Sequence, residues 1–528
     1  MVRAISTTTI STLEPGPPLS TRGALALAFL LVLTLAASLQ ASPVSVQNAA
    51  SLTRPPRISP DYQGLVIPPN IAPLNFLIQE TGTEFQVTIH GAQGLPVEVR
   101  SSGGKVVIPD TAWRKALETN KGADLLTDVY VRGDDHQWSH FTTLTNHVAR
   151  EDIDPVLLYR KLHPVHNTWG SMGIYQRDLR TFEERPLLEN QRFGNGCCHC
   201  HTLRNNNPNT FTVDIRSQTY ENSLVVVSNG VVEAIKGTVG FVAWHPTKPL
   251  LVGAFNKPRL MLHTVRREML DIAEMESWIG YMWMNSNVVF RIPGLSAPDR
   301  LIGFPTWAPD GRYLYYCESP SPWTDMAKTT ALSHKNARYD LMRIPLDDHD
   351  QWGKPEIIVA AKDSGFSAAQ PRVSPDGRWL FFCAIGYGCW PVYDAGSDLY
   401  GIDLQAAGAS GKFAHRKLEL NSSECESMLT WSSNSRWVVF SSKRASPLFN
   451  RPHISYVSPD GECKKPFVLP QQDPSFYESY LKTYTFPQLA TGPVTISERE
   501  LVEAVTHPGP RSLVMPAGAT LPKPEEHP

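Results

Sequence analysis

Residues 197–201 read Cys-Cys-His-Cys-His and hold three of the chain's eight cysteines. Cys197, Cys200 and His201 form the C-x-x-C-H pattern of c-type haem attachment. Two thiols three residues apart add to the two haem vinyl groups, and the adjacent imidazole then ligates the iron. Two other chemistries use the same residues. One is a Cys197–Cys200 disulfide in an oxidising compartment. The other is zinc, which five adjacent residues cannot enclose without a second ligand cluster, and the sequence offers none. Cys198 and His199 fall in the variable positions and carry no assigned role. For the sixth iron position the candidates are His163, His166 and Met172 upstream, and Met261, His263, Met282 and Met284 downstream. Met172 comes first, because it lies in a Gly-flanked loop near the motif and axial Met is a common arrangement. The bland alternative for each is a packed Met or a solvated His. The expected cofactor is one covalent haem c, with His201 and Met172 as metal ligands.

The motif needs elements to hold it, and the helices of a free-standing cytochrome are missing. Asn205-Asn206-Asn207-Pro208 is a turn signal, and Phe211 to Ile215 is strand-like, so the expectation is a haem carried on a loop of a β-fold. Repeats follow. Aligning Trp244, Trp307, Val373 and Trp431 superposes Trp-His-Pro, Trp-Ala-Pro-Asp-Gly-Arg, Val-Ser-Pro-Asp-Gly-Arg and Trp-Ser-Ser-Asn-Ser-Arg. Each unit is long enough for a four-stranded sheet. Pro-Asp-Gly makes a tight turn, since Pro presets φ and Gly accepts a positive one. Buried strands are expected at Tyr313 to Tyr316, Trp379 to Phe382 and Trp437 to Phe440. Outer strands are expected at Asp340 to Leu346, Asp398 to Leu404 and His453 to Val457. Ala254, Cys317, Cys383 and Ser441 share one column of small residues, which predicts inert thiols between blades. Cys389, Cys425 and Cys463 remain unassigned, with a disulfide among them compatible with export.

These W-x-P-D-G-R units resemble the PD40 (WD40-like) repeats of the TolB-like β-propeller family over residues 215 to 470. The order of N-terminal β-domain, Met172-Gly173-Ile174-Tyr175-Gln176-Arg177, C-x-x-C-H and propeller is similar to a group of exported bacterial PD40 proteins with a cytochrome c-type motif. The resemblance implies about six blades and haem binding at Cys197, Cys200 and His201. It implies no reaction, because propellers host many functions. His245-Pro246-Thr247-Lys248 and Ser433-Asn434-Ser435 depart from the repeat pattern.

Composition agrees with an all-β chain. Among 528 residues, 44 Pro, 35 Gly, 13 Trp and 17 Tyr describe turns between aromatic strands. With 49 Lys+Arg against 51 Asp+Glu there is no basic surface for nucleic acid. The apolar run Gly23 to Leu39 reads as an export signal or membrane anchor within residues 1–41, placing the bulk of the chain in the periplasm or another extracytoplasmic space. A linker at 42–73, a small sandwich-like β-domain at 74–150, a connecting segment with the haem motif at 151–214, the propeller at 215–470 and a tail at 471–528 complete the expected organisation. The tail carries a short helix at Ser497 to Val505. It is too short for a hydrolase domain, and no G-x-S-x-G, H-E-x-x-H or G-x-x-x-x-G-K-[ST] is present. The expected function is electron transfer to or from a redox partner protein. The alternatives are a propeller scaffold for a protein or small-molecule ligand, with a structural or sensory haem, and a haem enzyme with an open distal site.

Overall fold

Burial separates two kinds of strand. Val156–Leu162, Trp379–Ile385 and Trp437–Ser442 are buried at every residue, as strands covered on both faces must be. Asp124–Arg132 instead alternates buried and partly exposed positions, the period-two pattern of a sheet packed on one side. The computed structural model describes residues 46, 48–164, 169–262, 270–295, 299–323 and 332–517. Within residues 50–528, which form one unit, the doubly buried strands belong to six four-stranded antiparallel sheets, and the alternating strand belongs to a seven-stranded sheet.

The six sheets are the blades of a propeller. Blade two runs outward through Cys197–Arg204, Asn207–Arg216, Ser223–Ser228 and Val231–Lys236. Blades three to six begin at the inner strands Gly240–Trp244, Arg300–Trp307, Ser367–Val373 and Glu426–Trp431. Blade one is composite: its three outer strands are Val156–Leu162, Gly173–Asp178 and Glu184–Glu189, but its inner strand is Thr483–Ala490. Neighbouring inner strands touch all the way round, with Thr483–Ala490 between those of blades six and two. The fold is an all-β, six-bladed propeller.

Two expected segments are reassigned by these sheets. Residues 151–214 supply strands of blades one and two, and the tail from 471 supplies the strand that closes the ring. Neither segment has a Pro-Asp-Gly turn, so repeat matching passes over both. The departures inside the repeats are chemically conservative. Asp310 and Asp376 each accept the N–H of the Arg two residues on, with Gly311 and Gly377 at φ 74° and 75° between them. In blade six Asn434 accepts the N–H of Arg436 in the same way, and Ser435 takes φ 62°. In blade three His245 Nδ1 accepts from the N–H groups of Thr247 and Lys248 at 3.2 and 2.9 Å, so an imidazole replaces the Asx oxygen.

Every inner strand carries a two-residue bulge at the same level, at 199–200, 241–242, 304–305, 370–371, 428–429 and 486–487. In five of them the first residue has positive φ: Phe241, Phe304, Gln370, Met428 and Phe486. Pro305, Pro371 and Pro487 occupy second positions, where the ladder requires no N–H. The bulges aim side chains at the axis, and the Phe241 ring lies 4.3 Å from Phe304, 5.4 Å from Trp390 and 6.2 Å from Phe486, forming an aromatic plug.

The N-terminal sheet packs on blade six through a cluster that includes Ile67, Val148, Trp437 and Phe467. Ala50–Ser51, Ile58–Ser59 and Val66–Ile67, within the expected linker, pair into its sheets. Helix Asp110–Thr119, unforeseen because Pro109 offers no capping side chain, buries Trp113, Ala116 and Leu117. Helix Glu498–Thr506 is capped reciprocally by Ser497 and Glu500 and buries Leu501 and Val505. No helix among the described residues is long and apolar enough to cross a membrane, and Gly23 to Leu39 lies outside them.

Candidate functional site: the cysteine strand and the channel mouth

The C-x-x-C-H residues lie on the inner strand of blade two, not on a loop. The apolar strands around them, Phe211, Val213 and Ile215 among them, recruit the segment into the sheet. Cys197, Cys198, Cys200 and His201 are all at most 4 % exposed, and all eight cysteines of the chain, Cys389, Cys425 and Cys463 included, are free thiols. Burial pushes the Cys200 thiol up to about 12, with Arg160 opposing. Burial first, and Arg160 second, hold His201 down at about 3 against the Phe486 backbone, so the imidazole is neutral, and no side chain hydrogen-bonds to it.

Register decides whether the motif fits a haem. Cys198 pairs with Ile215 and His201 with Val213, which places both on the face of the apolar cluster shared with blade one. Cys197 pairs with Arg216, on the opposite face. Cys200, in the bulge, joins the central cluster with Phe241. The strand therefore turns the thiols and the His201 imidazole to opposite sides. In this fold Cys197, Cys200 and His201 do not fit one haem held by all three, because the iron ligand must project from the same side as the thioethers.

Of the sixth-ligand candidates, Met172 is brought to the motif: it is 1 % exposed and packs with Cys197, Leu162 and Trp169. Met282 and Met284 pack elsewhere, with Trp244 and Leu513. His163 is partly exposed and Met261 partly buried, and His166 and His263 lie outside the described residues. No group of three or more His, Cys, Asp or Glu among the described residues could hold a metal ion. Sequence reasoning missed the charges beside the motif. Arg160 Nη1 donates to the Cys198 carbonyl at 3.4 Å. Asp214, opposite the bulge, is raised to about 6 by burial against the pull of Arg216. An isolated Arg or Asp inside a strand pattern was the available signal, and only the fold shows that both are buried.

A second feature lies at one end of the channel. A cavity of about 400 Å³ is lined by residues from all six inner strands, including Thr202, Ala243, Thr306, Arg372, Thr430 and Gln488. The repeat tryptophans Trp244, Trp307 and Trp431 form its wall. Among the described residues Arg372 is the one charged side chain lining it. Its Nη1 donates to the Pro371 carbonyl at 2.8 Å, and burial lowers its pKa. Trp431 Nε1 donates to the Arg372 carbonyl at 3.3 Å, fixing the tryptophan beside the guanidinium's backbone.

No protein-family model matches the chain, and no curated protein matches it. Among solved structures it is similar to TolB from Acinetobacter baumannii, with 13 % identity over 72 % of this chain and 85 % of that one, at a TM-score of 0.40. Oligogalacturonate lyase from Vibrio parahaemolyticus matches with 13 % identity over 56 % of this chain and 85 % of that one, at 0.31. Prolyl oligopeptidase B from Galerina marginata matches with 10 % identity over 66 % and 44 %, at 0.34. Likeness at this level carries nothing about ligand or chemistry.

Proposed function

We propose that this chain is an extracytoplasmic binding propeller that takes a small organic anion with an apolar face at the mouth of its channel. One observation carries the reading: the 400 Å³ cavity combines aromatic walls with a single guanidinium and no lining carboxylate. A carboxylate satisfies the Arg372 donors left free by Pro371, and the ligand's apolar body displaces water from the indoles. The test is calorimetric binding of a panel of aromatic and aliphatic monocarboxylates against their neutral amides. Acids are expected to bind and amides not, with Arg372→Gln losing about tenfold or more in affinity. Equal binding of acid and amide, or an unchanged Arg372→Gln variant, sinks the proposal.

A second reading, covalent haem at Cys197 and Cys200 serving electron transfer with an iron ligand other than His201, is favoured by the contact of Met172 with Cys197. A reduced pyridine haemochrome spectrum on protein exported from a host with c-type maturation machinery decides it. One haem per chain, lost in Cys197→Ala/Cys200→Ala, would establish the attachment, and no haem would remove it.

A further inference from the structure

At the channel end opposite the tryptophan mouth, the long hairpin Leu250–Leu262 and Leu270–Trp283 carries two buried acids, Asp271 and Glu274. Glu274 Oε1 accepts from Asn256 Nδ2 at 3.1 Å and from Trp390 Nε1 at 3.0 Å, whereas Oε2 is buried with no partner. His334 Nε2 lies 3.0 Å from Asp271 Oδ2, which also accepts from the Tyr387 hydroxyl at 2.9 Å. In the neutral tautomer whose Nε2–H faces the carboxylate, the lone pair is on His334 Nδ1, and that atom too is buried without a partner. The Tyr339 hydroxyl is the third group, with no oxygen or nitrogen partner and only the Cys389 thiol beside it. Glu274, His334 and Tyr339 are 7 %, 5 % and 1 % exposed, and all three line one cavity of about 10 Å³, the space of a single water.

We infer that this cavity binds one structural water that joins Glu274 and His334 into a proton relay. The stoichiometry closes. The water donates one hydrogen to Glu274 Oε2 and the other to His334 Nδ1, and accepts the Tyr339 hydroxyl, so two orphaned acceptors gain partners and the hydroxyl gains an oxygen acceptor in place of a sulfur. Because Oε1 is held by two donors, a proton on Glu274 resides on Oε2. The transfer is balanced: Glu274 gives its proton to the water, the water gives one of its own to His334 Nδ1, and the products are a carboxylate and an imidazolium paired with Asp271. Tyr387, which is partly exposed, links Asp271 to the surface. Among the described residues, the charged and titratable groups around Glu274 are Arg216 from blade two, Cys389 and Tyr339 from blades five and four, and the Asp271–His334 pair. Burial raises Glu274 to about 7, against the hydrogen bonds of Asn256 and Trp390 and the charge of Arg216, so its carboxyl changes protonation near neutrality. The Cys389 thiol lies beside Tyr339 but is too weak an acceptor to replace an oxygen. This inference is independent of the channel-mouth ligand.

The test is infrared difference spectroscopy of the full chain across pH 5–9, with a high-resolution crystal structure for the water. The expected result is a protonated-carboxyl band that is lost with a midpoint near 7, is absent in Glu274→Gln and moves upward by about one pH unit in Tyr339→Phe, where the water holds the carboxylate less well. Density for one water within hydrogen-bond distance of all three groups is expected alongside. A dry cavity, or a Glu274 already ionised at pH 5, overturns the relay. If Glu274→Gln fails to fold, the Tyr339→Phe shift decides, and an unmoved midpoint refutes it.

Discussion

Asp154 stands at the seam where the ring closes, and its replacement tests how the propeller is held shut. Oδ2 accepts the Ser433 N–H at 2.8 Å and Asn206 Nδ2 at 3.1 Å, and Oδ1 accepts the Ser433 hydroxyl at 2.5 Å. One carboxylate thus ties the approach to blade one to turns of blades six and two. Burial raises its pKa, with the Ser433 and Asn206 hydrogen bonds opposing. Asp154→Ala removes three hydrogen bonds, but Ser433 is exposed and can turn to water, and Asn206 Nδ2 keeps the Trp431 and Leu489 carbonyls at 2.8 and 2.9 Å. At about 1.5–3 kcal/mol for a hydrogen bond to a charged group, and with each donor able to find another acceptor, the loss is about 2–3 kcal/mol. Asp154→Asn is the control. Its oxygen can sit at the Oδ2 position, and its amide can donate to the Ser433 hydroxyl, which rotates to accept, so the cost is about 1 kcal/mol. Urea unfolding at pH 7 measures both, as a lower midpoint at unchanged slope. If alanine and asparagine destabilise equally, the seam is held by strand pairing alone and the reasoning about Asp154 fails.

Glu274 and Asp214 both have folded pKa values raised above the unfolded ones, to about 7 and 6. The folded state therefore binds more protons, and their contribution is present at low pH and lost as pH rises from about 4 to 7. Glu274→Gln should gain stability over wild type at pH 8 and not at pH 4, with a gain at both or neither counting against burial as the cause. With eight buried free thiols, none should react with Ellman's reagent in the native protein and eight should react after denaturation; six would reveal two occupied by thioethers. Cys317→Ala, at a residue 0 % exposed between blades, should cost about 1–2 kcal/mol by thermal or urea unfolding through the small void it leaves. Ser497→Ala removes a capping box and should cost about 1 kcal/mol, read as faster amide exchange in the helix that follows.

The propeller was legible in the repeats because Pro-Asp-Gly and its neighbours encode local turn geometry. The column of Ala254, Cys317, Cys383 and Ser441 was legible for a different reason: each is at most 1 % exposed, so packing forces small side chains there. Blade one was not legible, because its inner strand comes from residues more than 300 positions away and has no local signature. For the C-x-x-C-H segment, spacing alone could not say which face each side chain takes. The bulge at 199–200 and the pairing with Val213 and Ile215 settle that, and both are properties of the sheet. The Glu274–His334–Tyr339 cavity joins residues of a hairpin and two blades, with no motif to announce it.

The composite blade also sets the order of assembly. During synthesis the strand Val156–Leu162 emerges early, but its partner Thr483–Ala490 comes after every other blade strand, so the ring stays open while the other blades can already form. Until then one edge of an otherwise finished sheet offers unpaired backbone groups, a template for any extended segment. The contact with the greatest sequence separation is therefore the final one, which makes closure the slow step. It also gives two open chains a way to exchange their last strands and form a swapped dimer held by the native hydrogen bonds.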